Sequence, residues 1–220
     1  MTSNTSRRVM LMAKGATKAA GFKRLHSDRE QGIGWEVWTL NDMPPTEWTT
    51  AHFELHAMTP VYREWISSRV DLAKYPQLYL QQADVTLPNS IAFPIRGVID
   101  ASGSNYLANT VALQLALLYM QHKEGYEVDT IALYGVDYVT AETMAQMKIR
   151  LKKDDRELFK MGAIEATYGR ACCEYWLGRL AELKIKFLIH AHSELFTTSP
   201  GFGRHVYGYE GNIIGGRGAL

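Results

Sequence analysis

The stretch from Tyr106 to Asp137 constrains the fold most. Leu107, Val111, Leu115 and Leu118 recur at helical spacing, with the small residues Ala108, Ala112 and Ala116 between them. That pattern describes a helix packed on a sheet. It hands over to DTIALYGVD (129–137), the most strand-like run in the chain. Further apolar runs repeat the alternation. RRVMLMAK (7–14) reads as the opening strand and WEVWTLN (35–41) as the second, with Trp35, Val37, Thr39 and Asn41 on one face and Glu36, Trp38 and Leu40 on the other. AHFELHAM (51–58) and LYLQQ (78–82) supply a third and a fourth strand, and IKFLIHAH (185–192) the last. Helices are predicted for PVYREWISSRV (60–70), where Pro60 suits the first helical position, for Met144 to Phe159, and for Ala171 to Leu183. GATKAAGFKRL (15–25) reads as a basic loop of small residues, and LPNSIAFPIRGVIDASGSN (87–105) as a long ordered loop. Strands alternating with helices predict an α/β architecture: a single Rossmann-like domain over 1–220, its mainly parallel sheet of about six strands flanked by helices. Residues 1–6 are polar, and 197–220 form an irregular tail rich in glycine and tyrosine.

Composition narrows the function classes. Of 220 residues, 46% are hydrophobic and 21% charged, enough for a sizeable core. The formal charge is +1, so the chain lacks the basic face expected of a duplex-binding protein, and nucleic acid enters only as a conceivable acceptor. The two cysteines, Cys172 and Cys173, are adjacent, which disfavours a disulfide and suits a reducing cytoplasm. The apolar run after Arg7-Arg8 is too short for a secretion signal, and Val111 to Met120 is too short to span a bilayer, so no membrane association is expected. The 24 aromatic residues (five Trp, twelve Tyr, seven Phe) make self-association plausible.

In parallel α/β sheets, ligands bind outside the carboxyl ends of the strands, near the switch in strand order. The polar residues just beyond each strand are therefore the candidates: Lys14, Gly15, Thr17 and Lys18 after the first, Asn41 and Asp42 after the second, Glu54 and His56 in or after the third, Asp137 and Tyr138 after the fifth, and His190, His192 and Ser193 after the last. Amide and hydroxyl groups with mixed charge suit a ligand carrying sugar, base and phosphate. Lys14 to Lys18 forms a loose anion loop, but neither GxxxxGK[ST] nor GxGxxG is present, which argues against a Walker-type hydrolase and a standard dinucleotide dehydrogenase. His52 and His56 lie four apart in a segment read as a strand, so they are not brought together, and no metal site is expected. There is no GxSxG nucleophile motif, and the two thiols are expected to be buried and inert. Arg170 and Glu174 stand at i,i+4 beside Tyr168, Tyr175 and Trp176.

Three segments, GWEVWTLND (34–42), SNYLANTVALQLALLYM followed by IALYGVDY (104–138), and IKFLIHAHSELF (185–196), occur in the order seen in bacterial sialyltransferases of the Campylobacter type. The chain resembles that family from about residue 8 to 210. It is also similar to a loose set of phage-encoded relatives with an asparagine strand, an ELH segment, a YGVD strand, a CEYW helix and a YGYE ending. The resemblance implies a Rossmann-like domain that binds a cytidine sugar nucleotide across the strand ends without a metal, with a histidine as general base. It implies that Asn41 contacts the nucleotide, that Asn109 falls on the serine of a turn whose amides face phosphate, and that Gly135 and Asp137 match the following strand. The family's Gly-Asn-Gly-Pro-Ser loop is here Ala13 to Thr17, and its histidine would fall near Thr167, with no histidine between His122 and His190. Glu165, Glu174 or Tyr168 could take the role of base.

The resulting expectation is metal-independent glycosyl transfer from a nucleotide sugar, with no further cofactor, to an unidentified acceptor, in the cytoplasm (the host's, if the chain is phage-encoded). Lys14, Gly15, Thr17, Asn41, Asn109 and Asp137 would hold the donor, and Glu174, Arg170 and Tyr168 would carry catalysis. The alternatives are a nucleotide-binding protein without catalysis, acting as a sensor, sequestering factor or interaction partner, and a nucleotide hydrolase.

Overall fold

A computed structural model describes residues 7–138 and 155–190, together with Ser193 and Leu195. The tail at 197–220, the N-terminal stretch 1–6, most of the helix expected from Met144 to Phe159, His192 and His205 lie outside the described residues. The elements run β1 (Arg7–Met12), α1 (Lys18–Glu30), β2 (Glu36–Leu40), β3 (Thr49–Glu54), α2 (Pro60–Ser67), β4 (Leu78–Leu80), β5 (Ser90–Ala92), α3 (Ile95–Ser102), α4 (Thr110–Lys123), β6 (Val128–Tyr134), α5 (Asp155–Glu182) and β7 (Lys186–Ile189). The fold is the expected single-sheet Rossmann-like α/β architecture, with seven strands where about six were anticipated and five flanking helices among the described residues.

All strands are parallel, in the order β5-β4-β3-β2-β1-β6-β7. The chain lays strands outward from β1 as far as β5, then crosses back to place β6 on the other side of β1. The switch in order therefore falls at β1. Its register is fixed on both sides, with Met10 opposite Val37 of β2 and Ala132 of β6. Because successive side chains alternate faces, Val9 and Leu11 join Trp38, Leu40, Ile131 and Leu133 in the larger core beneath α4 and α5. Met10 and Met12 join Val37, Ala132 and Leu25 of α1 on the opposite face. A third cluster, with Ile66, Tyr75, Leu78 and Leu80, lies between α2 and β4.

Two expectations are corrected. The segment read as a loop after β1 is mostly α1. Its fully buried positions are only Gly21, Leu25 and Asp28, with Ala20 and Phe22 packed partly buried against the same cluster as Leu25. What anchors it is buried polarity: Asp28 accepts from Arg24 at 2.6 Å and from the Trp35 indole at 2.7 Å. The segment 87–105 is not one loop either, since β5 and α3 occupy it. β5 has only three residues, too few to show a period, and α3 is closed by Gly103 at φ +66°, a left-handed C-cap.

Candidate functional site

A cavity of about 520 Å³ opens at the carboxyl end of the sheet, across the ends of β3, β2, β1 and β6. Its volume is within the range of small-molecule sites. Asn41, Asn109 and Asp137 all line it, so three residues far apart in sequence share one crevice.

Asn41 leaves β2 in the left-handed region, φ +55°, a conformation asparagine tolerates better than most residues. Its N–H donates to the Phe53 carbonyl at 3.0 Å, and its Oδ1 accepts from the Thr110 hydroxyl at 3.4 Å. Asn109 is the N-cap of α4: its Oδ1 accepts from the Ala112 N–H at 2.8 Å and its Nδ2 donates to the Tyr138 hydroxyl at 2.8 Å. Capping leaves the first-turn amides of Thr110 and Val111, which have no acceptor within the helix, at the cavity wall. Gly169 of α5 packs against this cap so tightly that a Cβ there would stand 2.3 Å from Asn109 Nδ2.

Asp137 is already engaged. Its carboxylate accepts from the Thr17 N–H at 2.6 Å and from the Thr17 hydroxyl at 2.7 Å, and Thr17 Oγ1 accepts in turn from the Gly135 N–H at 2.7 Å. The chain's own carboxylate thus occupies the N-terminal end of α1, where the Lys14–Lys18 loop was expected to meet phosphate. Gly15 lies behind it, because a Cβ would come within 2.6 Å of Asp137 Oδ2 and of the Gly135 carbonyl. Thr17 is buried, and Lys14 pairs with Asp42. None of Lys14, Gly15 and Thr17 lines the cavity.

Tyr168, Arg170 and Glu174 do not line it either. Arg170 donates to Glu174 at 2.9 Å on α5, and Tyr168 is 63% exposed. The side of α5 turned toward Asn109 carries Gly169 and Cys173, four residues apart, and Arg170 and Glu174 follow each of them by one position, about 100° around the helix. The Glu165 side chain lies outside the described residues. The cysteines are both buried and unpaired. Cys173 lies 3.0 Å from the Tyr138 hydroxyl, and burial pushes its thiol up to about 12, while burial also raises Tyr138 and Cys172. These are protonated packing groups rather than nucleophiles.

The side chain that the catalytic assignment omitted is His56, which lines the cavity from the end of β3. Its Nδ1 is 2.5 Å from Glu54 Oε1, and its backbone N–H donates to the same oxygen at 3.3 Å. The Tyr62 hydroxyl stands 2.8 Å from Nδ1, and burial together with the Glu54 carboxylate raises Tyr62 above the ordinary phenol range. Glu54 is fully buried, and its Oε2 has no hydrogen-bond partner among the described residues. The signal was present in the sequence: a carboxylate and an imidazole two residues apart at a strand end fall on the same side. Among the described residues, no group of three or more His, Cys, Asp or Glu is placed to hold a metal ion, and no helix is long and apolar enough to cross a membrane. The sequence matches no protein-family model, and no curated protein matches it.

Proposed function

We propose that the cavity binds a nucleotide sugar and that the protein transfers its glycosyl group without a metal to a hydroxyl acceptor in the cytoplasm. The observation that carries this reading is the convergence of Asn41 and the Thr110 and Val111 amides on one crevice at the switch point. A phosphate at the α4 N-terminus would meet unsatisfied N–H groups and the positive end of the helix dipole. Asn41 Nδ2, which makes no hydrogen bond to the described residues, would donate to the nucleoside. Asp137 stands at the same wall with its charge directed into α1, so its role toward ligand is to shape the wall through Thr17 and Gly135. The resemblance to Campylobacter-type sialyltransferases makes cytidine nucleotides the first to try.

A second reading, a nucleotide-binding protein without turnover, is favoured by the position of Tyr168, Arg170 and Glu174 outside the cavity. A panel of cytidine, uridine, guanosine and adenosine sugar nucleotides, followed by melting shifts and by product analysis, separates the two. Transfer predicts free nucleotide with a glycosylated acceptor, or free nucleotide and free sugar when water accepts. A melting shift with no product supports binding alone. Absence of any shift or product across the panel refutes both.

A further inference from the structure

We propose that Gln114 is a positioning residue of the cavity. Together with Thr110 it forms a polar seam that keys the end of β2 to α4 and fixes Asn41 beside the helix N-terminus, an inference that rests on the nucleotide-binding reading above. Gln114 interrupts the apolar run from Val111 to Met120 and is fully buried. Its Nε2 donates to the Thr39 carbonyl at 3.2 Å, and its Oε1 has no hydrogen-bond partner among the described residues. A leucine would fill similar space without burying an unsatisfied oxygen, so the amide costs stability where it stands. Its contribution is register: apolar side chains let a helix slide over a sheet, whereas a hydrogen bond to one carbonyl does not.

The seam has two rungs. Thr110 and Gln114 stand at i,i+4 and share a face of α4, while Thr39 and Asn41 lie two apart where β2 ends. Four helical residues advance about 6.0 Å and two strand residues about 6.6 Å, so the two spacings match. The inner rung joins Gln114 to the Thr39 carbonyl, and in the outer rung the Thr110 hydroxyl donates to Asn41 Oδ1 at 3.4 Å, at the cavity wall. Thr39 is also held from the other face of the sheet, where its buried hydroxyl stands 2.8 Å from His52 Nδ1. Beyond Leu40 the backbone turns into the left-handed region at Asn41, so the direction of that amide depends on where the last strand residues are held. The outer rung uses the Asn41 oxygen and leaves Nδ2 for the ligand. Nucleoside at Asn41 and phosphate at the Thr110 and Val111 amides then meet donors set at one separation, which preorganises the site for a ligand that carries both.

The test measures melting and sugar-nucleotide affinity in the full-length chain, using the panel member that stabilises the parent most. Gln114→Leu and Gln114→Met keep the volume and remove the inner rung. Both should melt at or above the parent, because an unsatisfied buried oxygen is removed with its amide, while Kd for the sugar nucleotide rises roughly three- to thirty-fold. Asn41→Gly deletes the amide that the seam positions, so adding Gln114→Leu to it should weaken binding by less than about twofold more. Parent-like affinity in both Gln114 variants overturns the positioning role and leaves the nucleotide reading intact. So does a full, additive loss in the double variant, which would mean that Gln114 acts elsewhere. If both variants fail to fold, the residue is structural and the proposal fails. A parent that binds no sugar nucleotide overturns the reading beneath it as well.

Discussion

Two histidines four positions apart show how little residue type says without its surroundings. His52 lies inside β3, fully buried, with Nδ1 2.8 Å from the Thr39 hydroxyl and its ring stacked on Tyr75 at 3.8 Å. Burial pushes its pKa down to about 3. The folded state therefore holds it neutral, while the unfolded chain protonates it below about 6.5. Stability from this group is fully present above about pH 6.5 and is lost as pH falls toward 3, since there the unfolded state binds more protons. Relative to His52→Phe the parent should lose about 0.7 kcal/mol more between pH 7 and 6 and about 1.2 kcal/mol more between pH 6 and 5, read from urea midpoints at those three values. Equal slopes for the two proteins would contradict the assignment. His56, just past the strand end, meets the cavity instead. The sequence made both visible, but it could not show which of the two faced the cavity, because that depends on where β3 stops.

At the scale of elements, the helix starts are polar junctions between distant segments. α1 begins on Thr17, whose hydroxyl donates to Asp137 and accepts from Gly135, so Thr17→Val removes both links while keeping the shape. A loss of roughly 1–3 kcal/mol in unfolding free energy is expected, and a value near zero would mean that the junction carries no stability. α4 begins on Asn109, and Asn109→Ala should cost about 0.5–2 kcal/mol by removing the cap, with Tyr138 losing a donor as well. A denaturant titration measures it. These starts explain the local errors of sequence reading. Periodicity extends α4 back to Tyr106, but the cap at Asn109 and the tether of Tyr106 to α5, through Cys172 at 3.0 Å and the Trp176 indole at 2.7 Å, hold 103–109 out of the helix. α1 escaped notice because its apolar contacts are few, Leu25 with the partly buried Ala20 and Phe22, and a buried aspartate, Asp28, sits among them.

For the whole molecule, the decisive test is whether a ligand links the elements that line the cavity. Asn41→Gly keeps the positive φ while deleting the amide, whereas alanine there would add backbone strain. The apo protein should melt close to the parent, and the stabilisation by a bound sugar nucleotide, about 2.7 kcal/mol at a hundredfold excess over Kd for the parent, should shrink. Equal shifts for parent and variant at every concentration would remove Asn41 from the site.

Sequence alone determined most of the strand and helix alternation and the strand ends as the places to search, because side-chain periodicity is a local property of the backbone. Only the tertiary structure decided which of those ends share a crevice. The order β3-β2-β1-β6 brings His56, Asn41 and Asp137 to one cavity, while Lys14 turns to Asp42 and Arg170 to Glu174. That choice rests on strand pairing and on which charges meet which partners, both of them contacts between residues remote in the chain.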